Sequence, residues 1–168
     1  KLGHPFNKYR WKDMKSVISS GENDFIIHYA TLINDETGEN PKLFRGGETI
    51  RIGIIAELKS DINRPDIRIT LNGQFGTSVW MVYLTHFKPI VRYKKDQPVC
   101  ISVRIKMPPM GNGLYSLSFN TVDLSGGDLK LIRAYHDAIV FEVAGDEILY
   151  KLGTLLVVKD VEIAAKVL

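Results

Sequence analysis

A single cysteine, Cys100, stands in 168 residues, so no internal disulfide can form and the staple that small extracellular domains rely on is missing. A reducing compartment is favoured. No apolar run approaches the roughly 20 residues that cross a bilayer. The chain opens at Lys1 without an initiator methionine or an apolar leader, and so reads as an excised piece of a longer protein. Charge of one sign is scarce: the net charge is +3, and the basic residues are scattered, whereas a nucleic-acid groove would gather them. No nucleic-acid partner is expected. Serine nucleophile elbows, phosphate loops and dinucleotide fingerprints are absent. No amphipathic helix of normal length occurs between residues 24 and 143, which argues against α/β folds with crossover helices.

What remains is a chain with 45% hydrophobic and 24% charged residues, long enough to bury one core without staples or metals. Residues 1–23 are basic and aromatic without a sustained period and read as a linker or N-terminal arm. Residues 24–168 form the domain proper. From Asp24 the hydrophobic period is two, and Gly, Asn, Asp and Pro break the runs every ten residues or so. Seven strands follow: 24–33, 48–58, one opening at Pro65, 77–84, one with Val99, Ile101, Val103 and Ile105 inward, one with Tyr115, Leu117 and Phe119 inward, and 138–143. Residues 85–97 and 121–137 read as loops. In the tail, 152–158 could add a strand, and 161–168 fits a helical turn or two equally well. The fold class is all-β, an immunoglobulin-like or jelly-roll antiparallel sandwich.

Gly113-Leu114-Tyr115-Ser116-Leu117 has the form of a tyrosine corner, with the Tyr115 hydroxyl bonded to backbone. In immunoglobulin-like order the third, fourth, sixth and seventh strands share one sheet, and the first, second and fifth make the other. The outer face of the larger sheet then carries Arg68, Thr70, Ser78, Trp80, Ser118, Asn120, Val140 and Glu142. Hydroxyl, amide and guanidinium groups match sugar hydroxyls, and an indole stacks on the C–H face of a pyranose. Trp80 is the anchor candidate, unless it packs beneath the long loop. The candidate carbohydrate contacts are Arg68, Thr70, Trp80, Ser118, Asn120, His136 and Glu142. His28, His86 and His136 fall on separate segments without the spacing of a zinc site, and Cys100 beside Val99 and Ile101 suggests a small structural residue. No catalytic residue and no cofactor is expected, although a jelly-roll glycosidase is an alternative because loop carboxylates such as Asp123, Asp128 and Asp137 are present. A protein-interaction or dimerisation domain is another, motivated by the apolar Leu155-Leu156-Val157-Val158 stretch.

The order of these features resembles the C-terminal domain of the nucleotide-binding subunit of O-antigen polysaccharide ABC transporters, the Wzt family. The resemblance is carried by Leu32-Ile33-Asn34-Asp35-Glu36-Thr37-Gly38, then Phe44-Arg45-Gly46-Gly47-Glu48-Thr49-Ile50-Arg51-Ile52, then Ile67-Arg68-Ile69-Thr70-Leu71-Asn72-Gly73. The Pro-rich bend and alternating strand from Met107 to Phe119, and Phe141-Glu142-Val143, continue it. Two departures stand out: the Arg10-Trp11 arm is only loosely like the family's linker, and Gln74-Phe75 lengthens the turn before the fourth strand. The resemblance implies a non-catalytic module that recognises the terminal or modified end of a lipid-linked O-antigen polysaccharide. It also implies a homodimer at the cytoplasmic face of the inner membrane, coupled to a transmembrane permease through an ATPase domain. ATP and Mg would belong to that other domain, which this chain lacks.

Overall fold

The computed structural model describes residues 9–87, 91–108, 110–144 and 161–167. Among these residues eleven strands appear, in the order β1 (Lys12–Asp13), β2 (Ser19–Gly21), β3 (Phe25–Asn34), β4 (Leu43–Phe44), β5 (Thr49–Leu58), β6 (Pro65–Gly73), β7 (Ser78–Tyr83), β8 (Val99–Lys106), β9 (Gly113–Asp123), β10 (Lys130–Val143) and β11 (Val161–Val167). Sheet A has the order β1-β3-β5-β8-β11, and sheet B the order β2-β10-β9-β6-β7, with β4 pairing in parallel beside β10. The division of the seven expected strands between sheets is the one that immunoglobulin-like order predicts.

β5 and β9 occupy the centres of their sheets, and their inward residues explain why. Ile50, Ile52, Ile54 and Ala56 of β5 are fully buried against Ile67, Ile69 and Leu71 of β6 and Leu117 and Phe119 of β9, which are equally buried. Each of the Ile, Leu and Phe side chains contributes about 1.5–3 kcal/mol by leaving water. Two hydrogen bonds cross between the sheets: Thr121 Oγ1 donates to Phe25 O at 2.9 Å, and Ile27 N donates to Tyr135 Oη at 2.9 Å. The Asp35-Glu36-Thr37-Gly38 turn is closed by Asn34, whose Oδ1 accepts from Glu36 N and Thr37 N. Gly38 takes φ of 69° there, a conformation cheap only without a Cβ. The tyrosine corner is present, with Tyr115 Oη donating to Gly111 O at 2.8 Å.

Three sequence expectations are corrected. Residues 161–167 form strand β11, paired with β8 from Val161↔Ile105 to Val167↔Val99, not a helix. Seven residues are too few for a stable isolated helix, whereas the open edge of β8 offers unpaired backbone groups. Residues 121–123 and 130–137 are strand rather than loop, since β9 runs to Asp123 and β10 starts at Lys130. Its pairing with β9 is interrupted between Tyr135 and Ile139, where Asp137 has φ of 46°, and this bulge hides the period. The segment 12–21 is also no free arm: β1 joins sheet A, β2 joins sheet B, and the Trp11 ring lies over Gly53. The expected strand at 152–158 and the apolar stretch 155–158 lie outside the described residues.

Candidate functional site

The outer face of sheet B holds a shallow concavity of about 270 Å³ lined by Arg68, Thr70, Asn72, Ser78, Met81, Ser118, Asn120, Leu131, Ala134 and His136. The strand registers order its floor into transverse rows. Tyr83, Arg68, Asn120 and Ala134 face one another across four strands, and Met81, Thr70 and Ser118 form the next row. Ser78, Asn72, Ser116 and Val140 make the third.

Asn120, with its amide oxygen turned to the guanidinium, accepts from Arg68 Nε at 2.9 Å and from Nη2, while its amide nitrogen donates to Phe119 O at 3.0 Å. Arg68 Nη1 donates to Tyr83 Oη at 3.5 Å, and the guanidinium lies 6.0 Å from the Tyr83 ring centre. These contacts hold the guanidinium in place, which fixes its remaining donors for a ligand. Ser78 Oγ donates to Asn72 Oδ1 at 3.4 Å, and Asn72 Nδ2 donates to Ser118 Oγ at 3.0 Å. Ser118 Oγ also accepts from Asp137 N at 3.0 Å. A hydroxyl has two lone pairs and one proton. With both lone pairs engaged, Ser118 keeps its proton for an acceptor above the sheet. Asp137 in turn accepts from Ser116 Oγ, so the bulge of β10 is locked to β9 on both sides. Met81 and Leu131 are exposed and add apolar rims on opposite sides of this polar floor.

Of the expected contacts, Arg68, Thr70, Ser118, Asn120 and His136 converge on this one concavity. Trp80 does not. It is 2% exposed and belongs to the core, opposite Leu71. Simple alternation puts Ser78 and Trp80 on the same face, but Asn72 pairs with Ser78 while Leu71 pairs with Trp80, leaving Val79 as an extra residue. That bulge inverts the parity, and Met81 takes the outward position beside Thr70. Glu142 is exposed farther along β10, opposite Leu114 and Leu43, and does not line the concavity. Asn72 and Asp137 were missed as site residues. Asn72 was visible as the next outward residue after Thr70, whereas nothing in the sequence marks the positive φ of Asp137.

Among the described residues the lining has one permanent cation, Arg68, and no carboxylate. Among the described residues no group of three or more His, Cys, Asp or Glu gathers to hold a metal. His28 is paired instead with Glu57, Nε2 to Oε2 at 2.8 Å. Cys100 is buried, and burial pushes its thiol up to about 11, which keeps it protonated and unreactive near neutral pH. Among the described residues no helix is long and apolar enough to cross a membrane.

Two antiparallel sheets, stacked without a helical layer among the described residues, place the chain among immunoglobulin-like and jelly-roll β-sandwich domains. The family described as the Wzt C-terminal domain matches residues 16–152, and the chain belongs to that family. It is thus a β-sandwich domain of the Wzt transporter subunit. Among solved structures, a crystal structure of the C-terminal domain of Wzt shares the fold with a TM-score of 0.64 at 14% identity, covering 82% of this chain and 81% of that one. No match was found among curated proteins.

Proposed function

We propose that this domain is a non-catalytic carbohydrate-binding module that recognises a lipid-linked O-antigen polysaccharide, at its terminal or modified end, for export by an ABC transporter. The observation that carries the proposal is the hydrogen-bond chain from Ser78 through Asn72 to Ser118 and Asp137, which leaves the Ser118 proton free next to the Arg68–Asn120 pair. Sugar hydroxyls need such mixed donors and acceptors, held in place before the ligand arrives. Met81 and Leu131 supply apolar surface for C–H faces in the role first given to Trp80. Glycoside hydrolysis needs two carboxyl groups about 5–9.5 Å apart. Among the described residues the lining of the concavity contains none, which favours binding over turnover.

Membership of the Wzt C-terminal domain family supports the rest of the assignment. The domain works on the cytoplasmic side of the inner membrane, joined to an ATPase domain that holds ATP and Mg and engages the permease. It acts as a homodimer, in which two weak sites, each about micromolar to millimolar, gain avidity. Titration of the domain with O-antigen oligosaccharides tests the proposal: saturable binding lost in Asn120→Ala supports it, and no binding by any oligosaccharide refutes it.

A further inference from the structure

A second depression, of about 430 Å³, opens on the flank of the sandwich between the segment Arg10, Trp11 and Lys12, the loop Asn40, Pro41 and Lys42, and the stretch of β10 from Asp137 to Val140. Its volume lies in the range of small-molecule sites, about 300–1,000 Å³. The walls are fixed by groups other than charged side-chain ends. Arg10 N donates to Asn40 Oδ1 at 2.8 Å, and Arg10 O accepts from Thr31 Oγ1 at 2.7 Å. Asn40 Nδ2 donates to Thr31 Oγ1 and to Leu32 O, each at 2.8 Å, and Lys12 pairs through its backbone with Ala30.

The charged ends of Arg10, Lys12 and Lys42 are therefore not spent on building the groove, and none of the three enters an ion pair among the described residues. The one carboxylate among the described lining residues, Asp137, already accepts from Ser116 Oγ. The floor is a length of strand edge that no other described strand pairs. Pairing of β10 with β2 ends at Tyr135, pairing with β4 begins at Glu142, and the Glu142 amide donates to Lys42 O at 2.8 Å. Val140, two residues earlier on the same strand, turns its amide to the same side and so into the groove. Three cations and a backbone donor around one volume select an anion.

The groove is also continuous with the sheet face. It shares Asp137 and Val140 with a depression of about 230 Å³ lined by Gly73, Gln74, Leu114, Tyr115 and Ser116. Ser116 and Ser118 are bridged by Asp137 to the outer-face concavity. A chain that leaves the Ser118 row can thus reach the three cations without leaving the protein surface.

We propose that the flank groove is a second glycan subsite, selective for a sugar residue that carries a carboxylate or a phosphate; it rests on the outer face being the primary glycan site. The test is titration of the domain, followed by amide chemical shifts, with oligosaccharides ending in a uronate or a sugar phosphate, with their neutral counterparts, and with inorganic phosphate. The acidic oligosaccharides are expected to bind about tenfold more tightly than the neutral ones, to shift Arg10, Lys42 and Val140 amides, and to lose that advantage at high salt. Arg10→Ala combined with Lys42→Ala should abolish the advantage while leaving the neutral ligands' affinity unchanged. Uronate and phosphate arms tell the two anionic substituents apart, and preference for either supports the subsite. Equal affinity for acidic and neutral ligands, an advantage that survives the double substitution, or inorganic phosphate binding as tightly as the acidic sugars would each overturn it. Loss of all oligosaccharide binding in Asn120→Ala marks the outer-face site as real independently, and no binding by any ligand, neutral ones included, is the separate failure of the primary site.

Discussion

Ser118 Oγ accepts the backbone amide of Asp137 at 3.0 Å, so a hydroxyl on the central strand of sheet B is oriented by a bulge in its neighbour. Asn72 Nδ2, also at 3.0 Å, completes its acceptor capacity from the opposite side. Ser118→Ala removes the one proton this arrangement leaves for a ligand. Glycan affinity should fall about five- to tenfold, the cost of about 1–1.5 kcal/mol of lost hydrogen bonding. Calorimetric titration checks the affinity, and an unchanged thermal midpoint would exclude misfolding as the reason.

Trp80 separates the core from the site. Trp80→Ala should destabilise the domain by about 3–5 kcal/mol, as for other large core truncations. The indole N–H has no acceptor among the described residues, so Trp80→Phe gives up little and should cost under about 1.5 kcal/mol. Urea unfolding measures both. Glycan affinity of Trp80→Phe should match the wild type, which a stacking role for the indole would not allow.

Gly53 seats the N-terminal segment. A Cβ at that position would stand 2.8 Å from Thr31 Cγ2 and 2.9 Å from the Trp11 ring. Gly53→Val should therefore lift Trp11 off sheet A and expose Arg10, Lys12 and Lys15 to protease. Faster tryptic cleavage there, with a red-shifted tryptophan emission, is the expected result. Unaltered cleavage would mean that the segment is held by its hydrogen bonds to Thr31 and Asn40 alone.

Acid should weaken the fold. Burial pushes the Asp35 carboxyl up, but hydrogen bonds from Arg104 and Arg51 outweigh it and hold the group below its ordinary value. Glu57 behaves alike, with burial overcome by hydrogen bonds from Lys59 and His28. A carboxyl with a depressed folded-state pKa stabilises above its unfolded value, and that contribution is lost as pH falls through the folded one. Asp66 has the opposite sign: its carboxyl is raised by burial, so its contribution is present at low pH and lost as pH rises. Asp35 and Glu57 predict a fall in urea midpoint as pH drops below about 4, which Asp66 opposes. Asp35→Asn should flatten that decline.

The layer architecture was legible because long strands such as β5 and β9 carry unbroken alternation, and burial on one face leaves them a single register. Four of the seven expected contacts converge because outward residues of β6 and β9 obey the same parity, Arg68 opposite Asn120 and Thr70 opposite Ser118, and His136 joins them from β10. Errors fall where an extra residue intrudes. Val79 reverses Trp80, and the bulge at Asp137 breaks β10 into an apparent loop and a short strand. Bulges are set by pairing with a neighbour that a single strand's pattern does not contain. The short strands β1, β2 and β4 are too brief for any period and owe their place to contacts with β3 and β10.

The most direct test of the central claim is chemical-shift mapping of the domain titrated with oligosaccharides from an O-antigen, repeated with Arg68→Ala combined with Asn120→Ala. Saturable shifts centred on Asn72, Ser118 and Asn120 that vanish in the double variant, with its fold retained, are predicted. Shifts confined to the outer face of sheet A, or saturable binding that persists undiminished in the double variant, would contradict the account.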